Sequence, residues 1–227
     1  MRTEFEGASG NGSELEGVLL GRQERLTALR ERAVDWAPAH ALGTLRSTMV
    51  FATGSPMAEI VFVGEAPGSE EERLGEPFVG PAGQKLTKII EAMGLRREDV
   101  YISNICKFRP AMENQGSGNR KPTLEEMQVC IPFITAELGI IEPRMVVALG
   151  ATAAEGLGLK GAVSSLRGRF HDAFGIPLRV TFHPSFILRE ERENGGMRVK
   201  RQVWEDMLSV MEHLGMPITE KQRRYFT

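Results

Sequence analysis

Four side chains capable of chemistry stand where turns or the ends of apolar runs would present them. Glu65 follows Ile60-Val61-Phe62-Val63-Gly64, Asn104 comes late in the run that begins at Val100, and His183 follows Leu178–Phe182. The fourth, Phe78, lies in Glu76-Pro77-Phe78-Val79-Gly80-Pro81, held between proline and glycine turns. A carboxylate accepts, an amide offers a donor and an acceptor at once, and an imidazole can do either. A phenylalanine confined by turns is oddly placed for a core residue and suits a stacking platform. The chemistry suggested is that of a pocket gripping a flat ring.

The elements that must position these groups are legible around them. The runs at 59–64, 100–105, 145–149 and 178–182 read as strands, two of them apolar enough to be buried on both faces. Between them, residues 82–93 form an amphipathic helix ending at Gly94, and Thr123-Leu-Glu-Glu opens another through a capping box. Gly150-Ala-Thr starts a further helix, and residues 198–214 form the closing one. Strand–helix alternation predicts a three-layer α/β/α domain with a central four-stranded parallel sheet. Ligands of such sheets bind at the carboxyl ends of the strands, where Glu65, Asn104 and His183 all fall. Residues 1–13, rich in Gly and Ser, read as a disordered tail. Residues 14–227 read as a single domain, with an N-terminal helix from Leu15 to about Trp36. Residues 37–57 are expected as a connector; 108–122 and 162–171 are expected as loops.

Composition removes several classes. The net charge is −2, which argues against a general polyanion binder but leaves room for a local basic footprint. No apolar run approaches the roughly 20 residues of a membrane helix, and the N-terminus shows no secretory signal. Two cysteines, Cys106 and Cys130, make neither a disulfide framework nor a CxxC motif. A reducing cytoplasm is the expected setting.

The motifs carry a resemblance. Gly64-Glu65-Ala66-Pro67-Gly68 followed by Glu76–Gly83 resembles the first signature of the family 4 uracil-DNA glycosylases, and His183-Pro184-Ser185 resembles their second. The resemblance runs from roughly Ser47 to Leu214. It implies excision of uracil from DNA by hydrolysis of the N-glycosidic bond, with the base flipped out of the helix. It assigns catalysis to His183, Glu65, Glu71 and Asn119, and uracil binding to Gly64, Glu65, Ala66, Phe78, Asn104 and His183. His183 would stabilise the uracil oxygen, Phe78 would stack on the base, and Asn104 would read its edge. At Ala66 some other glycosylase families place a water-activating Asp, so activation here is weaker or comes from elsewhere. The acidic run Glu70-Glu71-Glu72 equally fits a solvated face.

For DNA contact the candidates are Gly150, Ala151 and Thr152 at a helix start, Arg167, Arg169, Ser185, Leu188 and Arg189. Lys107, Arg109, Arg120 and Lys121 stand in loops near the same edge. Phe186-Ile187-Leu188 reads either as an apolar wedge for the vacated base position or as the start of a packed turn. The expected partner is uracil-containing DNA, with no membrane, and the protein is expected to act as a monomer. The alternatives are the same fold acting on other deaminated bases, or a nonenzymatic nucleic-acid-binding module.

One departure bears on the cofactor. The family holds a four-iron cluster on four cysteines, whose positions fall here at Ala37, His40, Phe108 and Cys130. Cys106 stands two residues too early. One matched thiolate cannot hold such a cluster, so no cofactor and no metal are expected, with apolar packing of Ala37 and Phe108 in its place.

Overall fold

The computed structural model describes residues 10–226. Residues 1–9 of the expected tail lie outside it, whereas 10–13 belong to the first helix, α1 (Gly10–Val34). There follow α2 (Ala37–Ala41), β1 (Leu45–Met49), β2 (Thr53–Gly54), β3 (Ile60–Gly64), α3 (Ser69–Leu74), α4 (Pro81–Ala92), β4 (Tyr101–Asn104) and β5 (Phe108–Pro110). The second half comprises α5 (Leu124–Ile141), β6 (Met145–Leu149), α6 (Ala151–Gly156), α7 (Val163–Leu166), β7 (Phe170–Ala173) and β8 (Ile176–Thr181). It closes with α8 (Pro184–Asn194), α9 (Met197–Leu214) and α10 (Glu220–Arg223).

The main sheet has six strands in the order β2-β4-β3-β6-β8-β7, not four. Its central four, β4, β3, β6 and β8, run parallel and coincide with the four predicted runs. The correction is an antiparallel strand at each edge, β2 beside β4 and β7 beside β8. These edges escape pattern reading for a physical reason. β2 is two residues long, and β7 (Phe170-His171-Asp172-Ala173) is four residues that expose Phe170 and Asp172 and bury only Ala173, so neither presents an apolar run.

The pleat sorts the strands between two cores. From β3, Val61 and Val63 face one side, where they join Leu26 and Leu29 of α1, Phe133 and Leu138 of α5, and Ala153 of α6. Ile60 and Phe62 face the other, with Leu86 and Ile90 of α4 and Met207 and Val210 of α9. β6 divides the same way, Val146 and Ala148 against Met145, Val147 and Leu149. The predicted capping box is present. Thr123 Oγ1 accepts from Glu126 N at 3.2 Å, and Glu126 Oε2 accepts from Thr123 N at 2.7 Å.

The segments read as connector and loops hold structure as well. β1 pairs antiparallel with β5, Met49 opposite Phe108 and Leu45 opposite Pro110, stitching 37–57 to the chain after β4. Residues 162–171 contain α7 and the start of β7. The residues after His183 become α8, eleven residues long, with His183 as N-cap and Pro184 in the first turn. Among the described residues, no helix is long and apolar enough to cross a membrane.

Candidate active site

β3, β4, β6 and β8 end side by side, and the loops leaving them enclose a cavity of about 290 Å³. It is lined by Glu65, Ala66, Gly68, Glu71, Phe78, Asn104, Asn119, Gly150, Ala151, His183 and Ser185, with Pro67, Ala82, Arg120 and Leu149. Every residue expected to act in catalysis is therefore at one place, although Asn104 and His183 are 79 positions apart in the chain. Gly64 lies directly beneath: a Cβ there would strike Asn104 Oδ1 and the Phe78 ring.

Asn104 is 1% exposed, and its Oδ1 accepts no hydrogen bond from the described residues. A buried acceptor left open in this way costs free energy unless a ligand supplies the donor. Its main chain is held from below. Lys107 Nζ donates to the Asn104 carbonyl at 2.9 Å and to Ser103 Oγ at 2.6 Å, and pairs with Glu137 at 2.5 Å, all fully buried. Lys107, read from sequence as a residue of the DNA-facing edge, is thus a core cation supporting Asn104.

His183 is half-buried, and its ring geometry assigns its tautomer. Nδ1 accepts from the Ser185 backbone N–H at 3.2 Å and sits 2.8 Å from Ser185 Oγ, which leaves the proton on Nε2. Burial with no neighbouring carboxylate lowers its pKa to about 4, so the imidazole is neutral at physiological pH. It is a fixed, uncharged N–H donor. Its ring lies 5.7 Å from that of Phe78, tilted by 36°.

Phe78 is only 6% exposed and has φ +56°, a left-handed conformation that costs a non-glycine residue roughly 1–3 kcal/mol. It lines the pocket and also packs into the core with Ile60 and Phe62, more enclosed than the turn-rich sequence suggested. Glu71 holds it there. One carboxylate oxygen accepts from the Val79 and Gly80 amides at 3.0 and 2.9 Å, and the other accepts from Gly68 at 3.1 Å. This tie between the two loops of the first signature engages both oxygens, so Glu71 positions Phe78 from within the pocket lining. Gly83 is required by the same turn, because a side chain would collide with the Phe78 carbonyl.

Glu65 is the remaining carboxylate. Burial raises its pKa, opposed by a hydrogen bond from Thr152 and the charge of Lys121. Thr152 is buried, with its side chain against Glu65. Gly150 and Ala151 line the pocket wall, Gly150 at φ +97° and against the His183 side chain.

The cationic candidates divide. Arg169 and Arg189 are exposed, Arg189 lying over the Phe186 ring at 4.9 Å. Arg167 is drawn inward: Nε donates to Asp206 at 3.0 Å and Nη2 to the Gln202 carbonyl, which ties it to α9. Arg109 and Arg120 are likewise spent, on Glu72 and Glu126. Ile187 is buried with Val199 and Val203, Leu188 is half-buried away from the pocket wall, and Phe186 stacks on Phe182 at 5.0 Å. Ile187 thus begins a packed turn, whereas Phe186 and Leu188 keep part of their surface. The lining residues not assigned a role from sequence, Pro67, Gly68, Ala82 and Leu149, lie in or beside the motifs, and their adjacency was the only available signal.

The positions that the resemblance gives to cluster ligands carry Ala37, His40, Phe108 and Cys130. Phe108 is fully buried, with the exposed His40 ring edge-on at 5.3 Å, and His40 Nε2 is 3.0 Å from the Val34 carbonyl. Ala37 is exposed and does not join the packing expected of it; buried Ala39 does. Trp36 adds an edge-on contact with Phe133 at 5.1 Å and donates to the Val129 carbonyl at 2.7 Å. Cys106 and Cys130 are free and buried, the Cys106 thiol donating to the Glu126 carbonyl at 3.7 Å.

Comparison with known proteins agrees with this geometry. Residues 51–208 match the uracil DNA glycosylase superfamily. The type-4 uracil-DNA glycosylase of Thermotoga maritima is 42% identical over 192 residues, covering 82% of this chain and 93% of the relative. That of Archaeoglobus fulgidus is 39% identical over 163 residues, covering 66% of this chain and 79% of its own. The type-5 enzyme of Thermus thermophilus is 29% identical over 211 residues, covering 84% and 91%. With its signature residues gathered at the carboxyl edge of one parallel sheet, the chain belongs to the uracil DNA glycosylase superfamily and sides with the type-4 enzymes.

Proposed function

We propose that this protein excises uracil from DNA, hydrolysing the N-glycosidic bond of a nucleotide flipped into the cavity. The observation carrying this reading is the pairing, in one pocket, of a neutral imidazole with a free Nε2–H and a buried amide oxygen lacking a donor. Uracil offers both complements: a carbonyl oxygen on which negative charge develops, and an N3–H. The ring stacks on Phe78, and the Asn104 amide reads its edge. As the N1–C1′ bond breaks, its electron pair moves onto the base, and the His183 donor stabilises the resulting anion. Water adds to C1′, and its proton passes to the Glu65 carboxylate, which half-burial makes a better base than an exposed one.

We take the enzyme to work without an iron–sulfur cluster, because three of the four family positions carry no thiolate: Phe108 is buried against the His40 ring, His40 Nε2 is within hydrogen-bond distance of the Val34 carbonyl, and Ala37 is exposed. Arg169, Arg189 and the pocket rim at Gly150, Ala151 and Ser185 are the DNA-facing candidates that remain accessible or line the cavity. We take it to act as a monomer in a reducing cytoplasm, which suits two buried free thiols. The test is incubation with a uracil-bearing oligonucleotide, with free uracil quantified and the abasic product revealed by alkaline strand cleavage. Release of uracil supports the reading. Binding without release, or release only of hypoxanthine or xanthine from matched substrates, overturns it.

A further inference from the structure

Asn119 reaches the pocket from a segment with no regular structure. Residues 111–118 are mostly exposed, and Gly, Asn, Ser and Gln dominate them. Such a loop has many conformations to choose from, and each residue fixed costs roughly 1–2 kcal/mol of backbone entropy. What holds it is a buried cation. Arg109 of β5 is 3% exposed. Its Nε donates to Asn119 Oδ1 at 3.0 Å, and Nη2 donates to the Gly116 and Gly118 carbonyls at 2.9 and 2.7 Å. Nη1 donates to Glu72 Oε2 at 3.0 Å. Glu72 neighbours Glu71 on α3, so one short helix anchors both this loop and the Phe78 turn.

An asparagine side chain is ambiguous until a partner decides which end is which. Arg109 can only donate, so the atom it touches is the oxygen, and the NH₂ group must point the other way. That direction is the first signature loop, on the pocket side: a Cβ on Gly68 would stand 3.2 Å from Asn119 Nδ2 and 2.6 Å from Glu71 Oε2, so the NH₂ group shares this corner with the Glu71 carboxylate. We propose that Arg109 is a positioning residue of the active site, which sets the orientation of the Asn119 amide and so presents an N–H donor, not an acceptor, to the bound nucleotide. The inference rests on the reading of the pocket as a uracil-excision site, where negative charge develops on the leaving base and a donor is favourable.

The test is a double-mutant cycle in single-turnover excision, with DNA affinity measured separately. Arg109→Lys keeps the charge opposite Glu72 but cannot serve Asn119 and both glycine carbonyls together. It should slow excision about 10–100-fold, the scale of a small misplacement of a reacting group, with affinity for uracil-containing DNA changed less than about threefold. In an Asn119→Ala background the same change should cost less than about threefold, because the group it orients is gone. Asn119→Asp keeps the bond from Arg109 but turns an acceptor to the substrate, and should be at least as slow as Asn119→Ala. Full additivity of the two losses would mark Arg109 as merely structural and overturn the proposal, as would Asn119→Asp or Arg109→Lys retaining the parent rate. Side-chain amide NMR decides the matter even where no uracil is released. The Asn119 NH₂ pair should be dispersed in the parent and collapse towards the free-amide position in Arg109→Lys; an unchanged pair refutes the proposal. Absent release with that collapse present refutes the excision reading alone.

Discussion

Phe108→Ala should be among the most damaging single changes in this chain outside the pocket, and the reason is its location. The side chain is fully buried, opposite Met49 in the β1–β5 ladder, with the His40 ring against its edge. The ladder limits collapse, since Val50 N–H also donates to the Lys107 carbonyl at 2.8 Å beside it. A cavity that cannot close puts a Phe→Ala change at about 3–5 kcal/mol. In a domain of this size 1 kcal/mol moves the melting temperature by about 2–4 °C, so the variant should melt roughly 6–20 °C lower. Thermal unfolding of parent and variant at equal concentration measures this, with excision assayed below both transitions. Iron and zinc content is determined on the same samples, prepared without added metal. The expected result is a large loss of stability, near-parental activity while folded, and no stoichiometric metal in either protein. A shift under about 3 °C refutes the claim that aromatic packing joins the N-terminal segment to β5, and stoichiometric iron in the parent refutes the clusterless reading.

Three further outcomes follow from the site. His183→Ala should lower the excision rate by about 10²–10³-fold, the loss typical of one donor to a developing anion, without unfolding the protein; a folded variant of full activity rules out the role given to this donor. Because the His183 pKa is lowered to about 4, the rate–pH profile should show no inflection near 6.5. Its stability sign is opposite to that of a paired histidine. The unfolded imidazole takes up a proton near pH 6.5 and the folded one only near 4, so stability is full above 6.5 and is lost as pH falls through that window. Thermal melts from pH 7 to 4 on the parent and His183→Asn check this, and equal acid sensitivity in the two would contradict it. Gly64→Ala should cut excision by about 10²-fold or more, since its methyl group meets both Phe78 and Asn104. The stability cost of such overpacking is only about 1–3 kcal/mol; normal kinetics in the variant would show that this floor is not part of the pocket.

What the sequence determined by itself was whatever has a local cause. β-branched runs at 60–63 and 145–149 must be buried on both faces, and four such runs separated by helices leave a parallel sheet as the economical solution. The Thr123–Glu126 box and the turn around Gly94 depend on residues a few positions apart, and both appear where expected. Glu65, Asn104 and His183 were legible because a strand end is a local feature and the sheet direction then gathers all such ends on one edge. Pairing across the fold has no such signature. Lys107, Arg109 and Arg167 look like surface cations in sequence, yet Glu137, Glu72 and Asp206, 30 to 39 residues away, take them inward. α8 was hidden because its charged sequence buries only Pro184 and Ile187. The left-handed Phe78 turn exists because Glu71 gathers three amides from two loops, and Asn119 stands ready because Arg109 holds it. A side chain's own neighbours decide whether it begins a helix or a strand, but a charge goes wherever its partner is, and only the closed tertiary structure places that partner.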